Sequence, residues 1–134
     1  MPLVECELAR VVMSESHDHQ VVVLKEKGGE RVVPIAIGLF EVFAIHRTIN
    51  NEPPPRPMTH ELFGNVLDAL GARIERVVVT ELREVVYIGL LVLRMNGHTY
   101  EIDSRPSDAI ALAVQKGAPI FVEDAVLDQA AHDL

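Results

Sequence analysis

The stretch from Glu101 to Gly117 reads as the end of a strand turning directly into a helix, and the flanking elements are placed from it. Asn96-Gly97 is the strongest two-residue hairpin signal in the chain, because both centre positions of such a turn need positive φ. His98 to Asp103 should therefore return antiparallel on Val85 to Met95 and run directly into a helix. Pro106 suits the first turn, where a missing N–H costs nothing, and Ser104 or Asp103 can cap the free amides. Asp108 follows where the macrodipole favours a carboxylate. Ile110, Ala113 and Val114 recur at helical spacing, Gly117 and Pro119 end the run, and Ala109, Ala111 and Ala113 allow close packing. Asp103, Ser104, Arg105, Ser107 and Asp108 crowd this junction, and they read either as caps with a local ion pair or as a polar site at a helix start.

The remaining elements follow from the same signals. Residues 3–14, 20–25 and 31–37 read as strands, separated by a polar turn at 14–19 and a Gly28-Gly29 hairpin. His17 and His19 sit in that polar turn without a third ligand nearby, which favours an exposed turn over a metal site. Leu39 to Asn50 reads as a helix with Glu41 in its first turn and Val42, Ile45, His46 and Ile49 on its buried side. Prolines hold residues 50–57 as an extended loop. A second helix starts with Thr59 as its cap, places Glu61 in its first turn, and turns Leu62, Phe63, Val66, Leu67 and Leu70 inward before Gly71. Strands at 73–82 and 120–122 complete the set, with a frayed acidic helix from Glu123.

Two segments, 3–50 and 73–117, share the order strand, hairpin, strand, acid-started helix, and their alignment sets Glu41 against Asp108. An α+β domain spanning 1–134 is expected, with two strand-hairpin-strand-helix units forming a largely antiparallel sheet covered by helices. Val77 to Val79, Val85 to Tyr87 and Ile88 to Leu93 are apolar on both faces, so a homodimer is expected to supply the missing cover.

Composition narrows the function. No apolar run is long enough to span a bilayer and no basic-then-apolar leader precedes the first strand, so a soluble cytoplasmic protein without membrane partners is expected. The single cysteine, Cys6, excludes an internal disulfide and lies mid-strand, a poor place for a nucleophile. A net charge of −8 opposes non-specific association with nucleic acid. With aromatics at 4%, unpaired bases would find few stacking platforms.

Glycine phosphate loops, nucleophile elbows and paired-cysteine motifs are all missing from the sequence. The polar candidates are Glu41, His60, Glu61, Asp103, Arg105 and Asp108. Metal-assisted phosphodiester cleavage would use Glu41, Asp103 and Asp108 as ligands for Mg²⁺ or Mn²⁺. Glu61 offers a further carboxylate, His60 can move a proton, and Arg105 can neutralise phosphate. The chemistry requires these groups to converge. His60 otherwise hydrogen-bonds a loop carbonyl.

Three stretches carry a resemblance: VPIAIG at 33–38 with Glu41, RPMTHEL at 56–62, and IDSRPSDAIAL at 102–112. Together they resemble the bifunctional nuclease domain family over most of the chain, to about residue 125. The resemblance implies an α+β domain that self-associates and a nuclease activity on RNA and DNA. Glu61 stands where many relatives carry Asp, which keeps the charge, and Ala36 replaces a polar or tryptophan residue and cannot carry chemistry. The rival expectation, of a different class, is a non-catalytic dimeric binding or regulatory module in which the same residues are caps and buried ion pairs.

Overall fold

In the computed structural model the described residues are 2–13, 20–82 and 86–132; His17 and His19 lie outside them. In chain order the elements are β1 (Leu3–Val12), β2 (Gln20–Glu26), β3 (Val32–Ile37), α1 (Leu39–Ile49), α2 (Thr59–Leu70), β4 (Arg73–Leu82), β5 (Val86–Met95), β6 (His98–Ser104), α3 (Pro106–Lys116), β7 (Ile120–Glu123) and α4 (Asp124–His132). The strands form one seven-stranded sheet in the order β3-β2-β1-β7-β4-β5-β6. It is mixed rather than purely antiparallel: β7 runs antiparallel to β1 but parallel to β4. Asn96 and Gly97 take φ of 53° and 79°, the conformation their turn requires.

Cross-strand register puts Val33, Leu24, Leu8, Cys6, Ile120, Val77 and Leu91 on one face of the sheet. That face carries the helices. α3 lies against β3, β4 and β5 and also contacts α1 and α2, while α4 packs on β3 and β7. Ala109, Ala111 and Ala113 are all buried, so the small side chains of α3 let it sit deep among its neighbours. Burial also pushes the Cys6 thiol up to about 11, which keeps it an inert core residue.

Several expectations change here. Val78 and Val92 alternate to the other face and are already buried within the single chain, so two-sided apolar strands do not by themselves call for a second subunit. Val85, part of the same expectation, lies outside the described residues. On α2 only Gly64 and Leu67 are buried; Leu62, Phe63, Val66 and Leu70 are exposed, because no element among the described residues covers that side. On α1, Val42 and Ile45 are buried but His46 and Ile49 are not. The cap positions are Met58 for α2 and Arg105 for α3, neither with a side-chain cap bond, so Thr59, Ser104 and Asp103 do not cap.

The C-terminal helix is packed rather than frayed. Val126, Leu127 and Ala130 are buried, and Arg31 binds Glu26 at 2.9 Å, Asp124 at 2.9 Å and Asp128 at 2.6 Å. Hydrogen bonding from Arg31 holds the Glu26 carboxyl down at about 2, against an ordinary 4.5. A depressed carboxyl stabilises the fold fully above its unfolded value and loses that contribution as pH falls toward the folded one. Thermal unfolding followed by circular dichroism should therefore be flat with respect to this pair above pH 4.5 and decline between 4.5 and about 2. Arg31→Ala should flatten the decline; an unchanged slope would remove the pair from the account.

Among the described residues no helix is long and apolar enough to cross a membrane.

Candidate functional site

The strand-to-helix junction opens on a cavity of about 640 Å³. Its wall includes Gly38, Leu39, Phe40 and Glu41 at the start of α1, and Thr59, His60 and Phe63 on α2. Leu91 of β5, Ile102 to Arg105, and Asp108 and Leu112 of α3 complete it. Three helices therefore meet around the end of β6, which is the packing that local sequence could not specify.

Arg105 is the hub. Its Nη2 donates to Glu41 Oε1 at 2.6 Å and to Asp108 Oδ1 at 3.2 Å, and its Nε donates to Asp108 Oδ2 at 3.0 Å. Nη1 makes no hydrogen bond among the described residues, and the side chain is 67% exposed. Glu41, only 4% exposed, also accepts from Ser107 Oγ at 3.5 Å. Both carboxylates are the third residue of their helices, so each faces the amide end of its own macrodipole. Gly38 leaves room at the mouth: a Cβ there would meet Glu41 Oε2 and oblige that carboxylate to shift.

His60 Nε2 lies 3.0 Å from Asp108 Oδ1. Burial pushes the Asp108 carboxyl up, but hydrogen bonds from Arg105 and His60 outweigh it and hold the group below the ordinary carboxylate range. An ionised carboxylate can only accept, so the imidazole nitrogen facing it carries the hydrogen. In neutral His60 the other nitrogen, Nδ1, is then the basic one. Arg105 is correspondingly raised, first by its hydrogen bond to Asp108. The cluster sets one guanidinium and one imidazole against two carboxylates.

Four of the six predicted residues thus converge: Glu41, His60, Arg105 and Asp108. Asp103 borders the cavity but alternates to the opposite face of β6 from Ile102 and Ser104, and it has no ion pair or side-chain hydrogen bond among the described residues. Glu61 is engaged elsewhere. It accepts from Arg47 at 2.8 and 3.0 Å and from the Met58 amide at 3.2 Å, so it ties α1 to α2 and closes the first turn of α2. The Arg47 hydrogen bond also holds its carboxyl below the usual range.

The three-carboxylate Mg²⁺ or Mn²⁺ arrangement expected on Glu41, Asp103 and Asp108 does not fit these positions. Asp103 alternates from Ser104 along β6 and pairs with neither of the other two carboxylates' partners, and the space shared by Glu41 and Asp108 is filled by Arg105 Nη2. Among the described residues no three His, Cys, Asp or Glu side chains group as a metal site. The cation at the mouth of α3 is the guanidinium. Phe40 and Phe63 border the cavity without having been candidates. Phe40 directly precedes Glu41 and Phe63 lies one turn after His60, a signal visible only once both helix starts are placed together.

The family model for the bifunctional nuclease domain matches residues 22–134. The chain belongs to that family. Among relatives, an uncharacterized protein of Mycobacterium tuberculosis is 35% identical over 126 residues, covering 94% of this chain and 75% of its own length. Bifunctional nuclease 2 of Oryza sativa subsp. japonica is 30% identical over 112 residues, and bifunctional nuclease 1 of the same plant is 28% identical over 114. Each rice alignment covers 34% of the rice protein, so the bifunctional nuclease domain here is similar to about a third of those chains. The match includes every residue of the cavity, from Gly38 to Leu112.

Proposed function

We propose that this bifunctional nuclease domain cleaves phosphodiester bonds at the cavity where His60, Asp108 and Arg105 meet. The observation that carries the reading is the His60–Asp108 contact, 3.0 Å long, on the wall of a cavity beside a guanidinium with an unused nitrogen. Asp108 holds His60 in the tautomer whose Nδ1 accepts a proton from an attacking water or ribose hydroxyl. Arg105 Nη1 donates to the phosphoryl oxygens as charge gathers there. Glu41 fixes the guanidinium. The rice relatives are named as nucleases, and RNA and DNA are both proposed as substrates here.

The test is cleavage of labelled RNA and DNA by the purified chain and by His60→Ala. Loss in the variant supports the reading, and equal specific activity ends it. Running the assay with and without EDTA tests separately whether cleavage needs Mg²⁺ or Mn²⁺ at all.

A second reading, a non-catalytic dimeric module, is favoured by a specific observation: Arg105, the group a phosphate must bind, is already paired with two carboxylates. Two structural proposals accompany both readings. We take β1–β3 with α1, and β4–β6 with α3, as copies of one unit, which makes Glu41 and Asp108 equivalent third-position acids. We also assign Leu62, Val66 and Leu70, exposed in a row on α2, to a contact with a second copy of the chain. Light scattering on a size-exclusion column should then give a dimer at micromolar concentration, and Leu62→Asp with Leu70→Asp should give a monomer. A wild-type monomer sinks this contact.

A further inference from the structure

We infer that the cavity takes an unpaired nucleotide, so that its substrate is single-stranded nucleic acid held by stacking on Phe40 and Phe63. The inference deepens the cleavage reading and rests on it for the identity of the ligand. Only four phenylalanines occur in the chain, and two of them border this one cavity. Phe40 is 76% exposed and Phe63 is 42% exposed, so neither ring is taken up by the core. Leu91, Ile102 and Leu112 line the same space with apolar surface. A volume of about 640 Å³ lies in the range of small-ligand sites and admits a base with its sugar and phosphate.

Charge decides between single strand and duplex. Duplex binding draws its strength from many cations displacing phosphate counterions. This chain carries a net charge of −8, and the one guanidinium at the cavity is offset by two carboxylates. The electrostatic contribution is therefore small, and the attraction must come from the aromatic and apolar wall. A paired base keeps its faces inside the stack and reaches such a wall only by extrusion, which opposes binding. An unpaired base offers its π-face at once. Phe40 beside Glu41, and Phe63 one turn from His60, would hold that base next to the proton-transfer pair.

Binding is measured by fluorescence anisotropy in EDTA. The probe is a fluorescein-labelled ten-nucleotide single strand, compared with the same strand in duplex. The single strand should bind at least about tenfold more tightly, and Phe40→Ala and Phe63→Ala should each weaken it by about tenfold. Phe40→Trp should retain affinity. The salt dependence should correspond to about one phosphate contact, a log–log slope near −0.7. Both phenylalanines are exposed, so thermal melts of the alanine variants should match wild type and confirm folding. Equal binding of duplex, wild-type affinity in both alanine variants, or a fall in oligomer mass in those variants would overturn the inference. Single-strand binding that depends on Phe40 without any cleavage by wild type sinks the cleavage reading and leaves the stacking site standing. Cleavage with no preference for unpaired strands does the reverse.

Discussion

Asp108→Asn is expected to lower cleavage by about a thousandfold while the chain stays folded. The side chains match in shape, but the carboxylate does three things an amide cannot do at once. Its Oδ1 accepts from both His60 Nε2 and Arg105 Nη2, and its Oδ2 accepts from Arg105 Nε. An asparagine has one acceptor oxygen, so its NH₂ must face either the guanidinium or the imidazole. In the Oδ2 place, facing the guanidinium, it gives up the Arg105 Nε bond and leaves no charge to stabilise the imidazolium that forms when His60 takes a proton. Facing the imidazole, it turns His60 into the tautomer with the hydrogen on Nδ1, and the base is lost. The stability change should be smaller, about 1–2 kcal/mol, since charge-assisted hydrogen bonds are replaced by weaker ones at a site partly open to water. The two readings then separate on one purified sample. Under the cleavage reading, activity collapses and the melting temperature moves little. Under the binding-module reading, the melting temperature falls and residual nuclease is indifferent to the substitution. Combining Asp108→Asn with His60→Ala sharpens the result: residues acting as a unit lose no more together than apart. A double variant another hundredfold slower than either single one would show that His60 and Asp108 do not act as a pair.

Much of this site was legible in advance for a local reason. Pro106, Gly117 and the Asn96-Gly97 pair act through their own φ preferences, so the turn, the helix start and the helix end around the junction could be placed without knowing the fold. Asp108 and Glu41 were visible because each sits in the first turn of such a helix. Helical period, in contrast, shows which residues share a face but not whether anything covers it. Leu62, Val66 and Leu70 look identical in sequence to a core stripe and are nonetheless exposed. Asp103 was grouped with Asp108 by proximity along the chain, although strand alternation turns it away from Ser104. Glu61 was assigned to chemistry because its partner, Arg47, lies on another helix beyond the proline loop. The place of β7 between β1 and β4 depends on pairing with residues 3–6 and 77–79, both far from it along the chain, which no local signal encodes.

Arg105→Ala should destabilise the fold by about 2 kcal/mol, more than Glu41→Gln at about 1, although Arg105 is the more exposed of the two. The order follows from what each change leaves behind. Glu41 is 4% exposed, and without Arg105 its carboxylate keeps only the Ser107 hydroxyl and the amide end of α1. An uncompensated buried charge is the costly outcome. Glu41→Gln removes that charge, and Arg105 still pairs with Asp108 at 3.0 Å. In the double variant no buried anion is stranded, so its loss should fall short of the sum by about 1 kcal/mol. Urea unfolding at constant m-value measures all three. If Arg105→Ala is no worse than Glu41→Gln, water screens the pair and the guanidinium is held loosely. The coupling has a functional meaning. A phosphate must draw on the same guanidinium that Glu41 and Asp108 already hold, so a large coupling directs phosphate to Nη1 alone and leaves binding to the aromatic wall. A small one frees the whole fork for the phosphate, and the affinity of Phe40→Ala for a single strand would then stay near that of wild type.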